Sequence, residues 1–438
     1  MKSLGVMVKI LTILALLFTT LMLVSAPYLA ALSYTTVSVM QPQYIWFWSF
    51  DGIPLFKITA GLSILAWGIQ AARGEINWAV YGSGQYRALA LLVGVMHISD
   101  WVTPFDSYFA GTGAEIVLST MRTIFIMYTI VLGLIQNKKA LVIFCYTMLA
   151  IAVYYTYWTN KAYFTQDWSM FKSGRFAGLP KGPYRDENAF SILLVILMHF
   201  ILFGIFFFKD KRIKIGLIVL IPFLWHALIL CASRGALLSA GLSTLFATTL
   251  IRSKKLNIIL LVAFAGAIIW QGGALLNRTS ETVNRAEYSD EPINPRLASW
   301  KVGAKLAAEY PLFGVGPQRF QIASRIHFPG ESPHVAHNTF LNFSANTGIL
   351  AGFLYLYFFF KSYSDFKYVK LHARRDSIYA YINNACMCGL FGFFIGAIFL
   401  DLIIFEPFYF IVLLLSVNYF LMKNISKTRK EKLDTNEI

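Results

Sequence analysis

Apolar residues come in runs of about 20, the length needed to cross a bilayer, and the runs recur from one end of the chain to the other. With the polar residues that separate them, they predict spans near residues 8–30, 53–72, 86–104, 113–135, 139–157, 188–208, 214–231, 235–251, 256–272, 337–360, 378–399 and 403–422. Inside the hydrocarbon a backbone has no water to bond, so each predicted span is a helix. One long polar stretch interrupts the series. It runs from Gln271 to Asn338, carries NRTSETVNRAEYSDEPINPRLASW and EYPLFGVGPQRF, and closes on HVAHNTFLNFSANTG.

The pattern reads as an all-α polytopic membrane protein with about 12 transmembrane helices. Residues 1–438 form a single membrane domain, with 273–336 a large loop insert and 423–438 a charged tail without fixed structure. Within the loop, apolar spacing after Pro295 predicts a short helix lying on the membrane surface. Gly392-x3-Gly396 reads as a site of close helix packing. The first apolar run, Ile10 to Leu32, is longer than a usual signal-peptide core and reads as a retained span.

Charge then orients the chain. The net charge of +16 is not gathered on one face, as a nucleic-acid binder would have it, so no nucleic-acid partner is expected. It lies in alternate short loops. With a cytoplasmic N-terminus, the inner loops hold Arg73 and Arg87, Lys138 and Lys139, Lys209 to Lys214, Arg252 to Lys255, and Lys361 to Arg375. The tail, from Lys423 to Lys432, falls on the same side. Positive residues concentrate on the cytoplasmic side of membrane proteins. Both termini are therefore read as cytoplasmic, and the large loop as lying on the opposite face. Trp46, Trp48, Trp101 and Trp158 then sit near the outer interface. The four cysteines fall inside apolar runs and form neither a disulfide framework nor a zinc pattern.

Ionisable residues near the spans collect toward the outer half: Lys57, Asp100, Arg122, Arg185, Glu187, Arg234, Asp401 and Glu406. A transporter more often holds charge at the midplane. Arg234, in Cys231-Ala-Ser-Arg-Gly, sits in a very short turn between two apolar runs. The plain reading is an arginine snorkelling to the headgroups. The chemical reading is a planar fork of donors for phosphate oxygens. His337 and Asn338 open the tenth run on the loop side. The plain reading is a helix start with Asn338 as its cap; the chemical one is a histidine that takes a proton near neutral pH. His334 is a second candidate for that role, and no third ligand near the two histidines points to zinc. Gly314-Val-Gly316 reads as a turn. Glu281, Glu287, Asp290 and Glu291 are scattered and do not make a metal-spaced pair, so no metal or other cofactor is expected. Arg234, Arg278, Arg296 or Arg319 would instead neutralise a diphosphate.

His337-Asn338 followed after nine residues by Gly348 resembles the His-[Asn/Ser/Gln]-x9-Gly motif of the bacterial O-antigen ligase and Wzy-type polymerase superfamily. Arg234-x3-Leu238 is similar to the Arg-x3-Leu signature of the ligases. The layout is similar too, with one large loop just before the histidine helix. SVMQPQYIWFWSFDGIPLFKITA resembles the N-terminal region of a subgroup of O-glycosylation ligases. Where the family motif continues with Gly, Thr or Tyr, this chain has Ala351 and then Gly352.

The resemblance implies a glycosyltransferase-C-like bundle in the bacterial inner membrane, with its active site facing the periplasm. It implies a glycan donor linked to undecaprenyl diphosphate, a lipid A–core acceptor, surrounding membrane lipid, and an inverting reaction without metal or nucleotide sugar. His337 is implied as general base and Arg234 as the diphosphate ligand. Arg185 and Arg296 are candidates beside Arg234, and Arg278, Arg319, Asn338 and His334 complete the expected substrate contacts. Three readings compete with the ligase: a polymerase or a protein O-oligosaccharyltransferase of the same superfamily, a lipid or sugar transporter, and a membrane protein whose loop merely binds a partner.

Overall fold

The computed structural model describes residues 2–105, 112–251, 295–330 and 335–436, with the single positions 258, 262 and 266. Most of the expected span 256–272 and all of the loop over 273–294 lie outside the described residues. In order, the helices are α1 (Lys2–Leu21), α2 (Tyr28–Met40), the single-turn α3 (Pro42–Ile45) and α4 (Phe47–Phe50), and α5 (Leu55–Ala72). Next come α6 (Gly84–Val102), α7 (Thr112–Leu134), α8 (Lys138–Phe164), α9 (Glu187–Phe207), α10 (Lys211–Cys231) and α11 (Arg234–Leu250). The series closes with α12 (Pro295–Glu309), α13 (Phe320–His327), α14 (Thr339–Thr347), α15 (Ile349–His372), α16 (Ile378–Ala397) and α17 (Glu406–Asn436). A small hairpin, β1 (Phe171–Lys172) and β2 (Arg175–Phe176), precedes α9.

Seven described helices, α5, α7 to α10, α16 and α17, are long and apolar enough to cross a membrane, and the protein is an all-α polytopic membrane protein. α9 sits at the centre. Its sequence, ENAFSILLVILMHFILFGIFF, has almost no polar face, which suits a helix enclosed on all sides. It is nearly all buried, against α8, α10, α11 and α16. α16 can approach closely because Gly392 and Gly396 face Val195 and Ile192, where a Cβ would overlap.

Three expectations fail for identifiable reasons. The first span, 8–30, is broken: α1 ends at Leu21, and the chain restarts after Pro27, which cannot continue a helix. The tenth, 337–360, is two helices, not one. Gly348 turns the chain at φ +99°, and a Cβ there would run into the Leu312 carbonyl. The tail is also helical, for α17 runs to Asn436. Its lysines and glutamate are good helix formers, and extending a helix already nucleated is easy.

α12, α13 and α14 form a cap with its own small core of Val302, Leu306, Val315, Phe320, Ala323, Ala336 and Ala345. The short helix expected from Pro295 is α12. The cap is fastened to the end of α6. Ser99 Oγ donates to the Asn346 carbonyl at 2.9 Å and also to that of Phe313, and Thr103 Oγ1 donates to the Val315 carbonyl. The segment PLFGVGPQRF lies against the end of α14, with Val315 N–H and Gly316 N–H donating to the Ala345 and Asn346 carbonyls, both at 2.8 Å.

Candidate active site

At one end of the bundle, three arginines from distant parts of the chain meet around a cavity of about 130 Å³. Arg234 arrives from the turn between α10 and α11. Ala232 makes that turn at φ +48°, and Arg234 is the first residue of α11. Ser233 precedes the helix without capping it; its hydroxyl donates instead to Asn188 Oδ1 at 2.8 Å. The first turn of α11 therefore has no side-chain cap, and its Arg234 and Gly235 line the cavity; uncapped helix starts favour an anion. Among the described residues Arg234 has no hydrogen-bond or ion-pair partner.

Arg175 comes from the hairpin. Its Nε donates to the Cys231 carbonyl at 3.2 Å and its Nη2 to Asn188 Oδ1 at 3.1 Å, and it pairs with Glu187. Arg296 comes from the first turn of α12 and is half-buried. Burial, and then the positive charges of Arg234 and Arg175, hold its guanidinium below the usual arginine range. Glu187 offsets the charge of Arg175, and among the described residues Arg234 pairs with no carboxylate, so Arg234 leaves positive charge at the cavity that an anion would relieve.

The remaining wall is Phe399 and Leu400, in the link between α16 and α17. That wall is held by the residues around His337. Thr339 Oγ1 donates to the Leu400 carbonyl at 2.8 Å and accepts from the Leu402 N–H at 3.1 Å. The Trp300 ring lies 6.2 Å from that of Phe399, and Trp300 Nε1 donates to the His337 carbonyl at 3.4 Å. In the same link, burial raises the Asp401 carboxyl above its usual range, opposed by hydrogen bonds from the Asn342 side chain and the Ile403 amide. His337 does not itself line the arginine cavity; it stands on the segment that braces one wall. Its backbone is at φ +49°, an uncommon conformation for any residue but glycine.

The other expected site residues are dispersed. Asn338 caps α14, its Oδ1 accepting from Leu341 N–H at 3.0 Å. Arg319 is buried and pairs with Asp100, and its Nε donates to the Phe105 carbonyl at 2.8 Å, so it fastens the cap to α6. Arg185 is exposed just ahead of α9 and does not reach the cavity. Arg278 and His334 lie outside the described residues. Sequence reasoning missed Arg175. The signal was present: Ser173-Gly174, at φ +49° and +72°, is a two-residue hairpin turn, and Lys172 pairs with Arg175 across it.

A bundle of membrane-crossing helices that gathers three guanidinium groups at one end defines a polytopic membrane protein equipped to hold an anion there. The family model described as Wzy_C, O-Antigen ligase, matches residues 219–356, a stretch containing Arg234, Arg296, His337 and Asn338. The match covers about a third of the chain and supports a place in the O-antigen ligase superfamily, a family of ligases and polymerases. No curated protein matches the chain.

Proposed function

We propose that the protein is an O-antigen ligase, transferring a glycan from undecaprenyl diphosphate to a sugar hydroxyl of lipid A–core on the periplasmic face of the inner membrane. The observation that carries this reading is the convergence of Arg175, Arg234 and Arg296 on one cavity whose opposite wall is fastened beside His337. The periplasmic placement rests on the concentration of lysine and arginine in the loops of the other face.

The chemistry is a single displacement. The acceptor oxygen attacks the anomeric carbon as the bond from that carbon to the diphosphate breaks, so the configuration inverts. The acceptor proton passes to His337, which acts as general base; a sugar hydroxyl is far less acidic than imidazolium, so the transfer belongs to the transition state. The leaving diphosphate gains negative charge, and guanidinium forks already aimed at it favour that charge. Guanidinium groups can take up a diphosphate's charge without a metal ion, so a chelator is expected to leave turnover unchanged. Holding two lipid substrates side by side supplies much of the remaining acceleration.

The test offers purified protein a lipid-diphosphate-linked glycan with lipid A–core, a second lipid-linked repeat unit, or a pilin-like protein as acceptor. Glycosylated lipid A–core is the expected product. A lengthened lipid-linked chain would make the protein a polymerase, and a glycosylated protein would make it an O-oligosaccharyltransferase. Movement of intact donor across a liposome membrane without transfer would make it a transporter.

A further inference from the structure

A second and much larger cavity, about 690 Å³, opens beside the arginine cavity. The two are neighbours, because two segments of chain line both. The stretch before and into α9 gives Arg175 and Asn188 to the arginine cavity and Lys181 and Tyr184 to the groove. The link between α16 and α17 gives Phe399 and Leu400 to the first, and Ile404 and Glu406, where α17 begins, to the second.

The groove has three kinds of wall. Tyr44, Phe47, Phe50 and Phe56 make it largely apolar. Its floor is polar. Glu406 accepts from the Tyr34 hydroxyl at 3.1 Å and from that of Ser38, and Gln43 Nε2 donates to Gln41 Oε1 at 2.7 Å. Gln43 Oε1 is buried with no hydrogen-bond partner, an acceptor left without a donor. Two cations and one exposed carboxylate, Asp51, stand at the mouth, which keeps a net positive charge. Lys57 and Lys181 are exposed, and among the described residues neither pairs with a carboxylate.

We infer that this groove binds the acceptor glycolipid, with Lys57 and Lys181 taking an anionic group on its head and Glu406 and Gln43 accepting from its hydroxyls. This rests on the transferase reading of the arginine cavity. An isoprenoid tail would need only apolar walls, and the diphosphate is already served by arginines. What fits apolar sides, a floor of hydrogen-bond acceptors and a cationic rim is a phosphorylated sugar lipid. The volume lies in the range of about 300–1,000 Å³ typical of ligand pockets. The shared segments would set such a head group next to the donor, as a direct transfer requires.

The test uses the full chain in phosphatidylcholine nanodiscs, with lipid A–core as the groove probe and farnesyl diphosphate as the probe of the arginine cavity. In the Lys57→Gln/Lys181→Gln variant, lipid A–core affinity is expected to fall about tenfold, the loss of two exposed charge contacts. Acceptor KM should rise by the same factor, while kcat and farnesyl diphosphate affinity hold. Both lysines are exposed, so the fold should survive, and Glu406→Gln gives a second variant that weakens acceptor binding without touching the rim. Unchanged lipid A–core affinity in the lysine variant would overturn the inference. So would loss of farnesyl diphosphate instead, which would make the groove a donor site, or equal competition by phosphatidylglycerol, which would make it a general lipid site. Wild-type protein that binds neither probe and transfers nothing would sink the transferase reading itself.

Discussion

The hydroxyl of Thr339 donates to the carbonyl of Leu400 at 2.8 Å, tying the helix that follows His337 to a wall of the arginine cavity. The same oxygen accepts from the Leu402 amide, and Thr339 is fully buried. Thr339→Val keeps the shape and removes both bonds. Leaving a buried carbonyl and amide unpaired costs about 1–3 kcal/mol. The variant should unfold at lower temperature and transfer glycan more slowly, whereas Thr339→Ser should restore both. Differential scanning fluorimetry beside a turnover assay checks this; a stable and fully active Thr339→Val would show that the wall does not depend on the tie.

His337 stands at φ +49°. For a residue with a side chain, such a conformation costs about 1–2 kcal/mol, a cost glycine avoids. His337→Gly is therefore expected to be about 1 kcal/mol more stable than His337→Ala, although neither transfers glycan. Denaturant unfolding of the two proteins measures the difference. Equal stability would mean that the backbone at this position carries no strain, and turnover in either would remove the base role.

Gly314 lies at φ +65° against the end of α14, and a Cβ there would overlap the backbone of Ala345 and Asn346. Gly314→Ala should push PLFGVGPQRF away from that helix and break the Val315 and Gly316 hydrogen bonds. Overpacking of this kind costs about 1–3 kcal/mol. Hydrogen exchange at Val315 and Gly316 is expected to quicken and transfer to fall. Protection like that of the wild type would contradict the docking role given to this segment.

Arg175 and Arg185 lie in one polar segment, but only Arg175 reaches the cavity. Arg175→Gln is expected to reduce transfer at least tenfold, a loss of about 1.4 kcal/mol or more in transition-state stabilisation, and Arg185→Gln to change it little. The reverse ranking, in the same donor-saturation assay, would move the diphosphate site out of the cavity.

Much of this was legible in the sequence. The apolar runs match most of the helices, whereas the central position of α9, consistent with its nearly unbroken apolar sequence, is shown by its packing. Arg234 and Arg296 were both singled out, and the structure joins them although 61 residues part them along the chain. The rest depended on short-range backbone chemistry and long-range pairing. Apolar spacing runs straight through Gly348, so only the turn there reveals that α14 belongs to the cap. Arg319 reads in the sequence as a cation for the diphosphate, but its charge is taken by Asp100, 219 positions away. Arg175 carries no signal along the chain beyond the Ser173-Gly174 turn, which only the strand pairing of Lys172 with Arg175 makes a hairpin. No pattern in the sequence pairs Thr339 with Leu400.

The central claim is that guanidinium forks hold the donor's diphosphate, and Arg234→Lys tests it most directly. Lysine keeps the positive charge but loses the planar fork. The measurement is the rate of undecaprenyl diphosphate release from a lipid-linked glycan, with lipid A–core present, for wild-type and Arg234→Lys protein of equal thermal stability. The account predicts release coupled to acceptor glycosylation in the wild type and almost none in the variant. Near-normal release by Arg234→Lys would contradict it.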